Sequence, residues 1–242
     1  MQVTKDIYMV LGGAYANIAN IFVIKGKDAL VMIDTAENTN ELAVIDENLR
    51  YWGLASYPIS HVLISHKHFN HIGNAHILQK RGALIAAGEP DAIAIENGDI
   101  NGINDFGPFP IREDYVPCKV DIKVRNGDRI HAAGLDFDVI GAPGHTDGSV
   151  FYRLKIDGKV VLFTGDVVNS GPDCRSALLG WEGGADFNRE TYFESVKRFS
   201  TMPCDLLLSG HYQLCMWDGW KILHGAYAKA LTQWQSPSVL EE

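Results

Sequence analysis

The chain predicts a four-layer α/β sandwich, two β-sheets packed face to face with helices on the outside. Three observations carry that expectation. Short apolar runs ending in Gly-containing turns read as strands in both halves of the chain. Each half closes on segments with apolar residues at helical spacing. The 242 residues, 46% apolar and 21% charged, suit a globular chain with a large core. They are read as a single domain over residues 1–242.

Taken in order, IANIFVIKGKDALVMIDT reads as two strands around a turn at Gly26-Lys27-Asp28. Leu42, Ile45 and Leu49 mark a helix that stops at Gly53, and ISHVLIS is a short buried strand leading to His66. IGNAHILQKRG predicts a helix ending at Gly82, followed by a strand at ALIAA. Residues 90–117, rich in Gly, Asn and Pro, read as a long loop. From residue 119 a second set of strands is expected: VDIKV, DRIHA, LDFDVIGA, SVFYRLKI and KVVLFTGD, with turns at Asn126-Gly127 and Asp157-Gly158. A helix over NRETYFESVKRFSTM, a strand at DLLLSG and a helix around WKILHGAYAKALTQW complete the chain.

The formal charge of −9 disfavours nucleic acid and anionic membrane as partners, because both select basic patches. The N-terminal stretch lacks a basic segment followed by an apolar block, so it does not read as a signal peptide. No apolar run approaches the ~18 residues of a membrane span. A cytoplasmic location is the expectation. Cys118, Cys174, Cys204 and Cys215 are scattered without a C-x-x-C pair and read as free thiols.

SHKHFNHIGNAH, Ser65 to His76, holds the densest chemistry. His66, His68 and His71 have the spacing H-x-H-x-x-H. In an extended segment alternate residues share a side, so His66 and His68 can face one ion while His71 points elsewhere. Three more segments place one polar residue in a Gly-rich turn at a strand end: His145 in GAPGHTDGS, Asp166 in LFTGDVV and His211 in LLLSGHYQ. Asp34 ends a fourth strand in VMIDTA. A rigid sheet aims ligands well from such positions. His61, His76, His131 and His224 lie outside these motifs and read as packed or surface residues.

The order HKHFNH, PGHTDGS, TGD and SGH resembles the metallo-β-lactamase superfamily over residues 18–212. The resemblance implies the αββα sandwich of that family and a two-metal site, zinc first, with iron or manganese as alternatives. His66, His68 and His145 would bind one metal. Residue 70, His71 and His211 would bind the other, with Asp166 and a hydroxide bridging both. Asp34 would support from behind. The catalytic positions on this reading are Asn70 and Asp166.

The family motif H-x-H-x-D-H has an aspartate where this chain has Asn70. An amide oxygen coordinates more weakly than a carboxylate and cannot act as a general base. The second site should therefore hold its metal less tightly. Natural tuning to another substrate or metal, deliberate replacement and loss of hydrolysis all fit the amide.

The resemblance implies a hydrolase of a small organic electrophile, such as an ester, thioester or lactone, acting through a metal-bridged hydroxide. Branches with an export signal, a nucleic-acid domain or a flavodoxin domain fit less well, as does the glyoxalase II branch with its C-terminal helical region. The alternatives are a metal-binding protein with weakened turnover and a di-iron redox protein. Phe106, Phe109 and Tyr115 on the 90–117 loop either wall a substrate pocket or pin the loop to the core. With LCMWDGW, they favour a substrate with an apolar part. Cys174 reads as a loop thiol, though its distance from Asp166 in sequence leaves it a candidate near the pocket.

Overall fold

The computed structural model describes residues 1–13, 18–99 and 115–234. Strands β1 (Ile7–Leu11), β2 (Ile21–Lys25), β3 (Leu30–Ile33), β4 (Ile59–Leu63), β5 (Leu84–Gly88) and β6 (Ile122–Val124) form one sheet in that order. Its first three strands are antiparallel neighbours, and β3 to β6 are parallel. The second sheet has the order β13 (Leu206–Ser209), β10 (Lys159–Gly165), β9 (Val150–Ile156), β8 (Leu135–Gly141), β7 (Arg129–Ala132). Only the β10–β13 pairing is parallel there. A small antiparallel pair, β11 (Val168–Ser170) with β12 (Ala177–Leu179), stands apart.

Strand residues alternate between two cores, as the pleat requires. Along β2 and β3, Ile21, Val23, Leu30 and Met32 face the helix-side core. Phe22, Ile24, Val31 and Ile33 face the core between the sheets, meeting Phe137, Val139, Tyr152 and Phe163. Because both faces are covered, these strands are apolar at every position but the last of β2, Lys25. Helix α1 (Thr39–Tyr51) closes the first outer layer with Leu42, Ile45 and Leu49. The Asn38 side chain caps it by accepting from Asn40 N and Glu41 N at 3.1 Å each. On the other outer face, Phe151, Leu162 and Leu207 pack with Tyr192, Val196, Ile222 and Ala226. The last four belong to α5 (Arg189–Phe199) and α6 (Gly219–Trp234). The layers are therefore helix, sheet, sheet, helix.

Three expectations change. Residues 90–117 are not all loop: Glu89–Asn97 form α4. Pro90 stands in its first turn with Glu89 and Asp91, and Gly98 ends it in the left-handed conformation at φ 67°. Its core-facing stripe was hidden because one buried position is the carboxylate Asp91. Next, VDIKV does not join the second set of strands. Its residues Ile122–Val124 are β6 and pair parallel with β5. Neighbouring strands in sequence often pair, but a parallel partner needs a crossover, here one that includes α4. Finally, the helix expected after His71 is split into α2 (Phe69–Ile72) and α3 (Ala75–Lys80). Asn74 breaks it by donating its amide to Thr35 O and Asn38 O at 2.9 and 3.0 Å.

Candidate metal centre

The strand ends converge. Asp34 follows β3, His66 and His68 follow β4, His145 follows β8, Asp166 follows β10 and His211 follows β13. Asn70 and His71 lie on α2, a single turn. All eight side chains are buried, none more than 8% exposed.

Most of the rings are held from behind by an oxygen. His66 Nδ1 lies 3.0 Å from Ser65 Oγ, and that hydroxyl donates to Asp34 Oδ2 at 2.8 Å, so His66 is the donor to it. His71 Nδ1 lies 2.8 Å from Asp34 Oδ2, His145 Nδ1 3.2 Å from Trp181 O, and His211 Nδ1 3.2 Å from Ile18 O. Each of these acceptors holds a proton on Nδ1 and turns Nε2 inward. Asp34 serves two of the contacts from an unusual backbone, φ 59°, and also accepts from Ser65 N at 2.7 Å. Such a conformation in a non-glycine residue costs on the order of 1–3 kcal/mol, offset by its hydrogen bonds.

The inward atoms crowd one another. His66 Nε2 is 3.0 Å from His68 Nδ1, and His71 Nε2 is 3.4 Å from His211 Nε2. Asp166 sits among them, with Oδ1 3.4 Å from His71 Nε2 and Oδ2 3.2 Å from His211 Nε2. The same Oδ2 is 3.9 Å from both His66 Nε2 and His145 Nε2. His145 Nε2 is buried with no hydrogen-bond partner among the described residues. Ligand atoms of His66, His68 and His145 lie within 4.8 Å of one another, as do those of His66, His71 and Asp166. Electron-pair donors meeting at these distances repel unless a cation or proton lies between them. Imidazole with carboxylate is a donor set that fits divalent zinc, iron or manganese.

Protonation is consistent with that fit. Burial pushes the pKa values of His66 and His68 well below the ordinary imidazole value and lowers that of His145. These rings are neutral, the form that binds metal. His71 differs: burial disfavours its charge, but the Asp166 and Asp34 carboxylates outweigh burial and raise its pKa to about 10. Burial also works against ionised Asp166, and the His211 and His71 rings outweigh it, holding that carboxyl well below its usual range.

The sequence model of the metallo-β-lactamase superfamily matches residues 14–211. The chain belongs to the metallo-β-lactamase superfamily. Its similar relatives include a hydroxyacylglutathione hydrolase of Erwinia tasmaniensis, 27% identical over 178 residues that cover 74% of this chain and 55% of that protein. A probable metallo-hydrolase of Bacillus subtilis, YqgX, is 26% identical over 199 residues, 80% of this chain and 84% of that protein. The chain spans only 32%, 45% and 55% of the length of the first hydroxyacylglutathione hydrolases it matches. Among solved structures, BJP-1, a subclass B3 metallo-β-lactamase of Bradyrhizobium japonicum, superposes with a TM-score of 0.71 at 22% identity. That superposition covers 94% of this chain and 89% of BJP-1, and it speaks to the fold. The superfamily fold implies divalent metal ions.

Within this superfamily frame the amide of Asn70 stands beside the second cluster, with Nδ2 3.0 Å from His211 Nε2. His61, His131 and His224 stay outside, as expected. His61 contacts Ser60 Oγ, His131 pairs with Asp136, and His224 is exposed. His76 is half-buried on α3. The four cysteines are free. Cys174 lines a surface hollow with Cys215, Trp217 and Lys221, a set that shares no residue with the histidine cluster.

Of the three pocket residues proposed from sequence, the structure places only Tyr115. Phe106 and Phe109 lie outside the described residues. Tyr115 is in the helix-side core, its ring edge-on to Phe69 at 6.0 Å and its hydroxyl donating to Ile95 O at 3.1 Å. Burying an aromatic ring with its hydroxyl satisfied stabilises the core more than exposing it at a mouth. Two exposed aromatics lie beside the histidine cluster instead, Trp181 at 43% and Tyr212 at 45% exposure. Their rings lie 6.5 Å from His68 and 6.2 Å from His211. Tyr212 was findable, since it adjoins a ligand-like histidine in sequence. Trp181 was not, because only folding brings its loop over His145. That approach requires Gly180, where a Cβ would meet Asp166 O at 2.4 Å and His145 Nδ1 at 3.2 Å.

Proposed function

We propose that this protein is a metal-dependent hydrolase of a small organic electrophile, with thioesters the first class to test and esters and lactones next. The observation that carries the reading is the meeting of inward-facing Nε2 atoms of His66, His71, His145 and His211 around Asp166, inside a superfamily fold. His66, His68 and His145 would hold one divalent ion, and His71, His211 and Asn70 the other, with Asp166 shared. Ions held there supply Lewis acidity, making water a nucleophile near neutral pH and stabilising charge on the leaving atom.

The chain's own residues supply orientation and shape. Ser65 and Asp34 fix the tautomers of His66 and His71. Trp181 and Tyr212 offer apolar faces for a substrate body beside the polar centre. The name of the hydroxyacylglutathione hydrolases, which act on a thioester, supports the order of testing. Asn70, a neutral ligand beside His211, supports a second ion held more weakly than the first.

The test is metal stoichiometry by inductively coupled plasma mass spectrometry, with hydrolysis of a thioester, ester and lactone panel by the metal-loaded protein. One or two equivalents of zinc, iron or manganese with turnover of a panel member is the expected result. Absence of bound metal after loading refutes the reading. Iron with no hydrolysis and reversible reduction favours the redox alternative.

A further inference from the structure

We propose that Asp91 is the positioning residue of the three-histidine cluster, a buried carboxylate that sets the turn bearing His66 and His68 against the turn bearing His145. The inference rests on the reading of that cluster as a metal site. Asp91 lies in the first turn of α4 and is 0% exposed. Its Oδ2 accepts from Lys67 N and from Thr146 Oγ1, both at 2.8 Å, and its Oδ1 accepts from Gly148 N at 2.9 Å. Lys67 is the residue between His66 and His68, and Thr146 follows His145 directly. One side chain thus spans two segments that share no strand pairing at these residues.

The chemistry of the joint selects a carboxylate. All these partners approach with N–H or O–H, so the central group must only accept. An amide of the same shape would turn its own N–H toward one of them. The Thr146 hydroxyl donates to Asp91 and stands 2.7 Å from Ser149 Oγ, which also accepts from Thr146 N at 3.1 Å. The joint is closely packed as well. A Cβ on Gly148 would lie 2.4 Å from Asp91 N, and one on Gly88 would lie 2.0 Å from Gly148 O.

Two loops could be held together more cheaply by apolar side chains, since a buried charge stabilises only when fully hydrogen-bonded. What a carboxylate adds is directional registration of backbone atoms. Ligands must be held within about 0.5 Å of the productive geometry for tight metal binding. Lys67 fastens a third segment to the same place: its ammonium pairs with Asp186 at 2.8 Å, and Asp186 also accepts from Asp147 N at 3.2 Å. That segment carries Trp181, whose carbonyl accepts from His145.

The experiment compares wild type, Thr146→Val, Thr146→Ser and Asp91→Asn, each as the full chain. Cobalt(II) is titrated into the metal-free proteins by calorimetry while the visible d–d absorption is followed, and the melting of each metal-free protein is recorded. Thr146→Val and Asp91→Asn are expected to weaken binding of the first cobalt roughly 10–100-fold and to alter its absorption band. Thr146→Ser, which keeps the hydroxyl, is expected to bind within about threefold of wild type. Thr146→Val carries the test should Asp91→Asn fail to fold. Wild-type affinity and spectrum in the folded Thr146→Val protein overturn the positioning role while leaving the metal site intact. A wild-type protein that binds no cobalt overturns the metal-site reading, and this inference with it.

Discussion

Asn70→Asp puts a carboxylate where the superfamily-like motif otherwise has one. The side chain is 1% exposed and its Nδ2 lies 3.0 Å from His211 Nε2, so the new oxygen arrives at a fixed place. In metal-free protein it faces a lone pair. The two electron pairs repel, whereas a unit anion and cation at about 3 Å attract by roughly 5 kcal/mol at an effective dielectric of 20. With metal present, the carboxylate replaces a neutral donor with an anionic one. Changes of ligand and supporting group at metal sites shift affinity by about 10–100-fold, and that gain is expected for the second ion alone. The first ion, which we assign to His66, His68 and His145, should be little altered. The assay is calorimetric zinc titration of both proteins against a chelator of known affinity, with metal counted after gel filtration. A second binding constant unchanged within threefold, or a gain confined to the first ion, refutes the assignment of Asn70 as the weak ligand.

Further outcomes are expected elsewhere in the molecule. His145→Ala should remove the first ion and reduce hydrolysis at least a hundredfold, checked by metal analysis beside steady-state rates. Gly148→Ala should lower stability by more than about 1 kcal/mol through overpacking against Asp91, measured as a shift in urea midpoint. Trp181→Ala should raise KM for a substrate with an apolar body more than it lowers kcat, because the exposed ring lies 6.5 Å from His68 rather than among the candidate ligands.

Stability should also carry a pH signature of Asp91. Burial raises its pKa from 3.8 to about 6, against the pull of the Lys67 ammonium and the hydrogen bonds it accepts. The folded chain therefore binds this proton more tightly than the unfolded chain does. The stabilisation is complete below about pH 4 and is lost as pH rises through about 6, reaching at most about 3 kcal/mol at 1.4 kcal/mol per unit. Relative to wild type, Asp91→Asn should lose ground as pH falls from 7 to 4. Urea midpoints that stay parallel across that range contradict the shift.

Much of the architecture was legible because both faces of each sheet are covered. Ile21 to Ile24 and Leu30 to Ile33 announce buried strands by being apolar at every position. The ligand candidates were legible for a related reason: polar residues stand out when they interrupt such runs, as Asp34, His66, Asp166 and His211 do at strand ends. Helix α4 was hidden where a core-facing position carries the charge of Asp91. β6 was assigned to the wrong sheet because apolar alternation says that a strand exists without saying which partner it has. Tyr115 shows the same limit for single residues: an aromatic in an irregular segment reads equally well as pocket wall or core, and its hydroxyl contact with Ile95 places it in the core.

By itself, then, the sequence determined most of the elements, the layers and the identity of the candidate ligands, because these follow from local periodicity and from residue chemistry. The tertiary structure decided which ring nitrogens meet, which oxygen holds His66, His71, His145 and His211 from behind, and which exposed aromatics lie beside the cluster. It alone brought Asp91, 24 residues from Lys67 and 55 from Thr146, between the two ligand turns. Contacts at such separations depend on the packing of whole sheets, and no local pattern encodes a distance between side chains that only the closed fold makes neighbours.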